Sequence, residues 1–114
     1  MQVYQSDCDA AGFTTGQCSN LGQRVFVNRL NIGKTSLRPS DFGTPNASYV
    51  NAQGNIASAN YLTKSDAVAS GFSGLLTQNQ GEVAYVSEVF LPVPNFNFSG
   101  SSGGAPGVFS RAIF

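Results

Sequence analysis

The composition of the last third of the chain constrains the fold most. Residues 81–94 read GEVAYVSEVFLPVP, and after a gap rich in Gly, Ser and Asn the chain closes on GVFSRAIF at 107–114. Both runs are rich in β-branched and aromatic residues, which suit a pleated, half-buried surface. The gap contains SGSSGG at 99–104, which is typical of a flexible tip. The simplest pairing is therefore an antiparallel hairpin over residues 82–93 and 108–114.

The longer of these two strands is apolar on both faces. One face carries Val83, Tyr85, Val89, Leu91 and Val93, and the other carries Ala84, Val86 and Phe90. Because a strand with two apolar faces is usually covered on both sides, we expect this one at the centre of its sheet. Glu82 would begin it, and Pro92 and Pro94 would end its capacity to donate ladder hydrogen bonds.

Two further elements complete the predicted fold. The run QRVFVNRLNI at 23–32 alternates imperfectly and predicts another strand, while 33–60 reads as a long loop with at most a short strand near Tyr49 and Val50. Thr63 and Asp66 match the two positions of a capping box, which predicts a short helix over about 64–71. The sequence thus predicts one α+β domain spanning 1–114. It would have an antiparallel sheet of three to four strands, one short packed helix, long loops and one disulfide.

The disulfide is predicted between Cys8 and Cys18, the only cysteines in a chain that has no histidine. Two cysteines without histidine partners cannot complete a four-ligand zinc site, so a bridge is favoured over two buried thiols. Their surroundings, DCDAAGFTTGQC, are typical of a loop. A bridge of this span should stabilise the fold by somewhat less than ~3 kcal/mol and indicates an oxidising compartment outside the cytosol.

The residues that carry catalysis or metal binding are sparse. Six basic and six acidic side chains cancel, so the chain lacks the electrostatic footprint of a nucleic-acid-binding protein. Glu82 and Glu88 would stand ~20 Å apart in one strand, whereas a glycosidase pair needs roughly 5–9.5 Å. Asp7 and Asp9 supply two carboxylates but lack the remainder of a calcium loop. We therefore predict no catalytic residue, no metal ligand, no cofactor and no nucleic-acid partner.

Two surfaces are candidates for protein contact. Phe96 and Phe98 alternate with asparagines beside the glycine tract, so at an exposed tip they would form an apolar contact surface. Alternatively, the two rings fold back over the end of the sheet. Four of the six basic residues fall within fifteen positions, and they form either a solvated edge or a surface for an acidic partner: Arg24, Arg29, Lys34 and Arg38.

Four stretches carry a resemblance to a known family. They are GEVAYVSEVF at 81–90, FSRAIF at 109–114, QRVFV at 23–27 and LRPSDFGTP at 37–45. Over about residues 23–114 they resemble the soluble C-terminal part of TadE/TadG-like proteins, which are minor pilins (pseudopilins) of the bacterial tight-adherence (Tad) pilus apparatus. The resemblance implies a non-enzymatic structural component of a pilus or secretion apparatus. Such a component contacts other proteins of the apparatus in the periplasm or at the cell surface.

The resemblance also implies a membrane anchor. TadE/TadG-like proteins have an N-terminal membrane helix, so we expect the full-length protein to be held in the inner membrane by a helix preceding Met1, with no other membrane contact. The alternative hypothesis is an extracellular ligand-binding or adhesive module whose Asn- and aromatic-bearing loops recognise a glycan or a surface partner.

Overall fold

The computed structural model describes residues 1–72, 74–93 and 107–114. The chain divides into two compact units, the first comprising Met1–Leu30 and Asp41–Val83 and the second Asn31–Ser40 and Ala84–Phe114. The helices are α1 (Gln5–Ala10) and α2 (Ser58–Tyr61), with 3-10 turns at Thr35–Leu37, Ala47–Tyr49 and Ser65–Ala67, and the strands are β1 (Val86–Pro92) and β2 (Gly107–Ile113). The fold is therefore a small α+β fold with two antiparallel strands, a few short helices and one disulfide.

The disulfide lies at the centre of the first unit. Cys8 and Cys18 are bonded, with an S–S distance of 2.02 Å, so the predicted bridge is confirmed. Both residues are buried, at 0% and 2% exposed, and they pack with Val3, Val25 and Leu62. The expected loop is therefore only partly right: residues 11–17 between the cysteines form mostly exposed turns, but Cys8 lies on α1 and both cysteines belong to the apolar core.

Helix α1 was not predicted, and its N-terminus explains why. The residue before the helix is Tyr4, which is not a residue type favoured at that position. The Asp7 carboxylate nevertheless accepts a hydrogen bond from the Tyr4 backbone N–H at 2.8 Å, which satisfies one otherwise unpaired donor. The Tyr4 hydroxyl donates to the carbonyl oxygen of Gln78 at 2.5 Å and so fixes the helix start within the first unit.

The segment 23–32 is bridged in several places but does not form the predicted strand. Its isolated antiparallel bridges are Gln2–Arg24, Val25–Val68 and Asn28–Asn55. Each of these bridges joins a single residue pair, so no continuous ladder forms within the described part of the chain. The prediction of a third strand is therefore wrong, although Val25 is buried, at 2% exposed.

The helix predicted over 64–71 is also wrong in place and length. Helix α2 ends before it at Tyr61, and the predicted span contains a single 3-10 turn, Ser65–Ala67. The Thr63 hydroxyl donates to the Ala59 carbonyl oxygen at 2.5 Å, four residues back, and so completes the preceding helix instead of capping a new one.

A buried asparagine closes the C-terminal end of α2. The Asn20 side-chain amide donates to the carbonyl oxygens of Tyr61 at 2.9 Å and of Lys64 at 2.7 Å. Its backbone N–H donates to the carbonyl oxygen of Leu62 at 3.0 Å. The last carbonyls of a helix have no partner within the helix, so a residue 41 positions earlier in the chain caps α2. Asn20 is only 3% exposed.

The loop that follows residue 40 contributes core residues as well as surface. Phe42 stacks on Phe72 with ring centroids 4.1 Å apart, and both side chains are buried. Gly54 has a φ of +83°, and a Cβ there would lie 2.8 Å from the Arg29 carbonyl oxygen. Only glycine fits this turn, because it must combine a left-handed backbone with a close approach to another segment.

The second unit contains the predicted antiparallel hairpin, which is confirmed. The register places Glu88 opposite Arg111 and Phe90 opposite Phe109. Within the described ranges β1 has β2 as its neighbour and no strand on the other side, so its predicted central position is wrong. The sheet has two strands, and the expected third and fourth are not formed there.

Candidate functional site

The two glutamates considered for catalysis have structural roles. Glu82 does not begin β1, which starts at Val86. Its carboxylate accepts hydrogen bonds from the Asn79 side chain at 3.0 Å and from the Asn79 backbone N–H at 2.8 Å. These bonds lower the pKa of Glu82. These hydrogen bonds therefore stabilise the turn fully at pH values above the pKa that Glu82 has in the unfolded chain. The stabilisation is lost as the pH falls through the lower pKa that Glu82 has in the folded chain. Glu88 is half-buried on β1 and accepts a hydrogen bond from the Ser40 hydroxyl.

The aspartates that flank Cys8 serve α1. Asp7 accepts the Tyr4 backbone N–H, and Asp9 accepts a hydrogen bond from the Gln5 side-chain amide at 2.9 Å. Two residues apart on a helix, the two carboxylates do not face one another. Across residues 1–72, 74–93 and 107–114, no group of three His, Cys, Asp or Glu side chains is placed to hold a metal ion.

The three arginines of the predicted basic cluster contact groups of the protein itself. Arg24 donates to the carbonyl oxygen of Leu76 at 2.6 Å, and Arg29 donates to that of Gly43 at 2.7 Å. Arg38 packs on the hairpin of the second unit. The planar guanidinium of arginine suits such contacts, because it donates in fixed directions and also stacks on rings. These contacts favour neither a solvated edge nor a surface reserved for an acidic partner.

The segment 31–40 contacts the inner face of the hairpin at two places. The residues of the inner face are Val86, Glu88 and Phe90 on β1 and Phe109, Arg111 and Ile113 on β2. The Arg38 guanidinium lies 3.4 Å from the centre of the Phe109 ring, a cation–π contact worth ~1 kcal/mol. Together with the Ser40 hydrogen bond to Glu88, this contact fixes the segment 31–40 on one side of the two strands.

The opposite face, which we call the outer face, is exposed and apolar. It consists of Tyr85, Ser87, Val89, Leu91, Val108, Ser110, Ala112 and Phe114. The exposed fractions of its large side chains are 70% for Tyr85, 48% for Val89, 61% for Leu91, 59% for Val108 and 77% for Phe114. Together these side chains expose on the order of 500 Å². In the described parts of the strands, the outer face carries no charged residue.

Two features position the outer face. Tyr85 and Phe114 extend the ladder beyond the strands, since each donates its backbone N–H to the other's carbonyl oxygen, at 3.1 and 2.8 Å. At the other end, a Cβ on Gly107 would lie 2.6 Å from the Phe90 ring and 2.5 Å from the Leu91 carbonyl oxygen. Glycine at this position lets the two strands meet with the ring packed against bare backbone.

Sequence reasoning placed the contact surface elsewhere. Phe96 and Phe98, the predicted contact residues, and the SGSSGG tract lie outside the described residues. Val89 and Leu91 were expected to be covered because both strand faces are apolar. The overlooked signal was Ser87, which shares their parity: a polar residue in the middle of an apolar face is typical of a face that meets water.

Comparison with known proteins identifies no relative: no protein-family model matches the chain, and no curated protein or solved structure is significantly similar to it. In the part of the chain that the structure describes, no helix has both the length and the apolar character needed to cross a bilayer. The disulfide is compatible with an extracellular or periplasmic location.

Proposed function

We propose that this chain is a non-enzymatic structural component that assembles with other proteins through the outer face of its hairpin. The observation that carries the proposal is the set of large apolar side chains exposed together on that uncharged face. The largest exposed apolar patch on a soluble domain is typically a few hundred Å² and is often functional. The inner face of the same hairpin is contacted by Arg38 and Ser40 within the chain.

The size of the face indicates the kind of contact. With ~500 Å² on this chain and a similar area on its partner, the interface would bury ~1,000 Å², at the small end of specific interfaces. Such a contact is weak when it acts alone. In an assembly where each subunit touches several neighbours, weak contacts combine into a stable whole.

The apparatus that fits these properties is a bacterial pilus or secretion apparatus, with the chain as its minor pilin-like (pseudopilin) domain. The proposal draws on the resemblance of the strand sequences to TadE/TadG-like proteins, and the disulfide is compatible with it. The domain would work in the periplasm or at the cell surface, anchored to the inner membrane in the full-length protein. Its partners would be the other proteins of the apparatus.

Photo-crosslinking in the bacterium that makes the protein tests this proposal. A photoreactive amino acid replaces Leu91 on the outer face, and in a matched control it replaces Leu75, a leucine of the first unit that is 53% exposed. We expect protein adducts from position 91 that mass spectrometry identifies as apparatus components, and few from position 75. Equal yields of the same adducts from both positions, or none from position 91, would count against the proposal.

One observation favours the second candidate function, an adhesive module. Tyr85 and Phe114 are adjacent and strongly exposed, at 70% and 77%, and neighbouring aromatic rings can stack on a sugar. A glycan array with the wild-type protein and Tyr85→Ala separates the two functions. Specific sugar binding that is lost in Tyr85→Ala would favour the adhesive module, and an array without specific binding would favour assembly.

A further inference from the structure

We propose that the outer face pairs with the outer face of a second copy of this chain, so that two hairpins pack face to face about a two-fold axis. The inference rests on the proposed function and names one partner for the same surface. Three properties of the hairpin support it, namely the charge of the outer face, the chemistry of the two strands and the extent of the exposed area.

The charges favour a like partner. The ionisable side chains of β1 and β2 are Glu88 and Arg111, which lie opposite each other on the inner face. Two outer faces therefore meet without like-charge repulsion and without burying a charge, and the chain's formal net charge of +0 adds no long-range repulsion. A strongly charged partner would find nothing to pair with on this face.

The strand pattern favours a sheet as the covering layer. An isolated two-stranded hairpin is at best marginally stable and needs a further layer or strand. On the inner face, Arg38 and Ser40 of the segment 31–40 pack on Phe109 and hydrogen-bond to Glu88, respectively. A second hairpin would supply a further layer on the outer face, since two twisted sheets pack with their strands roughly aligned. The exposed apolar side chains of β1 would then be removed from water.

The register of the hairpin suits a two-fold axis that lies in the interface parallel to the strands. Such an axis sets β1 of one copy against β2 of the other, so that Val89 of each copy faces the smaller Ser110 of its partner. Leu91 then faces Val108, so apolar side chains also meet at one end of the outer face. With ~1,000 Å² buried in total, we expect a dissociation constant in the micromolar range or weaker.

Sedimentation equilibrium of the oxidised protein from about 1 μM to about 1 mM tests the pairing. We expect a reversible monomer–dimer equilibrium in the wild type. Leu91→Lys should weaken it at least tenfold, because two lysines would be buried at the interface. The control Leu75→Lys changes the same residue type at similar exposure, 53% against 61%, and should leave the equilibrium unchanged.

A second measurement does not depend on Leu91→Lys folding correctly. Ser110→Cys places a thiol in the middle of the outer face, and Ser58→Cys places one on the exposed start of α2. A short bis-maleimide should link Ser110→Cys into a dimer of the chain, while Ser58→Cys stays monomeric. Equal crosslinking of the two variants would overturn the proposal.

The remaining outcomes distinguish this inference from the proposed function. A wild-type monomer throughout the concentration range, or a dimer that Leu91→Lys leaves intact, overturns self-pairing. If photo-crosslinking at position 91 still yields adducts with other apparatus proteins, the assembly role stands and only the identity of the partner is wrong. If it yields neither self-adducts nor other protein adducts, both proposals fall.

Discussion

Asn20 makes the sharpest prediction about the stability of this fold. Its buried side-chain amide donates to the carbonyl oxygen of Tyr61, the last residue of α2, at 2.9 Å, and to that of Lys64 just beyond the helix at 2.7 Å. Asn20→Asp keeps the shape of the side chain but replaces the donating amide group with an oxygen. Two hydrogen bonds are lost, and each of the two carbonyls then faces an acceptor, which costs about 2 kcal/mol per carbonyl when it finds no water.

We therefore expect Asn20→Asp to lower the free energy of unfolding by ~3–5 kcal/mol at neutral pH, a large share of the ~5–15 kcal/mol typical of a domain. The deficit should shrink at acid pH. A carboxyl that faces two carbonyl oxygens has its pKa raised by folding, and its protonated form can donate one hydrogen bond. The folded state then binds the proton more tightly than the unfolded state. The stability of Asn20→Asp therefore falls as the pH rises from the pKa of this carboxyl in the unfolded chain to its higher pKa in the folded chain.

Urea unfolding followed by far-ultraviolet circular dichroism, at neutral pH and near the pKa of a free carboxyl, measures the effect. The matched control is Asn28→Asp, an exposed asparagine whose amide contacts Asn55 at 2.7 Å, for which we expect a change below ~1 kcal/mol. Asn20→Asp within ~1 kcal/mol of the wild type at neutral pH would refute the capping role, as would a deficit that grows on acidification.

Three further predictions concern the hairpin and the disulfide. Gly107→Ala should destabilise the hairpin by ~1–3 kcal/mol, because its Cβ would overlap neighbouring backbone, and should speed amide exchange in β1; unchanged exchange rates would contradict this. Arg38→Ala should remove the cation–π contact with Phe109 and cost ~1 kcal/mol in urea unfolding, with no recovery in Arg38→Lys if the planar stacking matters. Replacing Cys8 and Cys18 together by alanine should cost ~2–3 kcal/mol, and a loss below ~1 kcal/mol would show that the core holds without the bridge.

The hairpin could be predicted because its signal is local. Successive β-branched and aromatic residues favour extended backbone, and two such runs separated by a glycine-rich gap have few ways to pair. The register that sets Glu88 against Arg111 follows once the two strands meet. The sequence could not tell whether the second apolar face of β1 is covered within the chain, because apolar residues attract any apolar surface and do not specify which one.

The first unit was largely missed because its structure depends on contacts between distant segments. Val25 bridges Val68, and Asn20 caps a helix that begins at Ser58, yet neither relation has a signature near those residues in the sequence. The capping box read from Thr63 and Asp66 failed because Thr63 completes the preceding helix. Helix α1 was missed because its acidic cap residue follows an unusual partner, Tyr4.

The depth of the Cys8–Cys18 bridge has a consequence for its chemistry. With the two residues 0% and 2% exposed, a thiol reagent such as dithiothreitol can attack neither sulfur while the first unit stays closed. Reduction must wait for a transient opening of the surrounding core. Under native conditions its rate should therefore level off as the reductant concentration rises, and the plateau gives the frequency at which this part of the molecule opens.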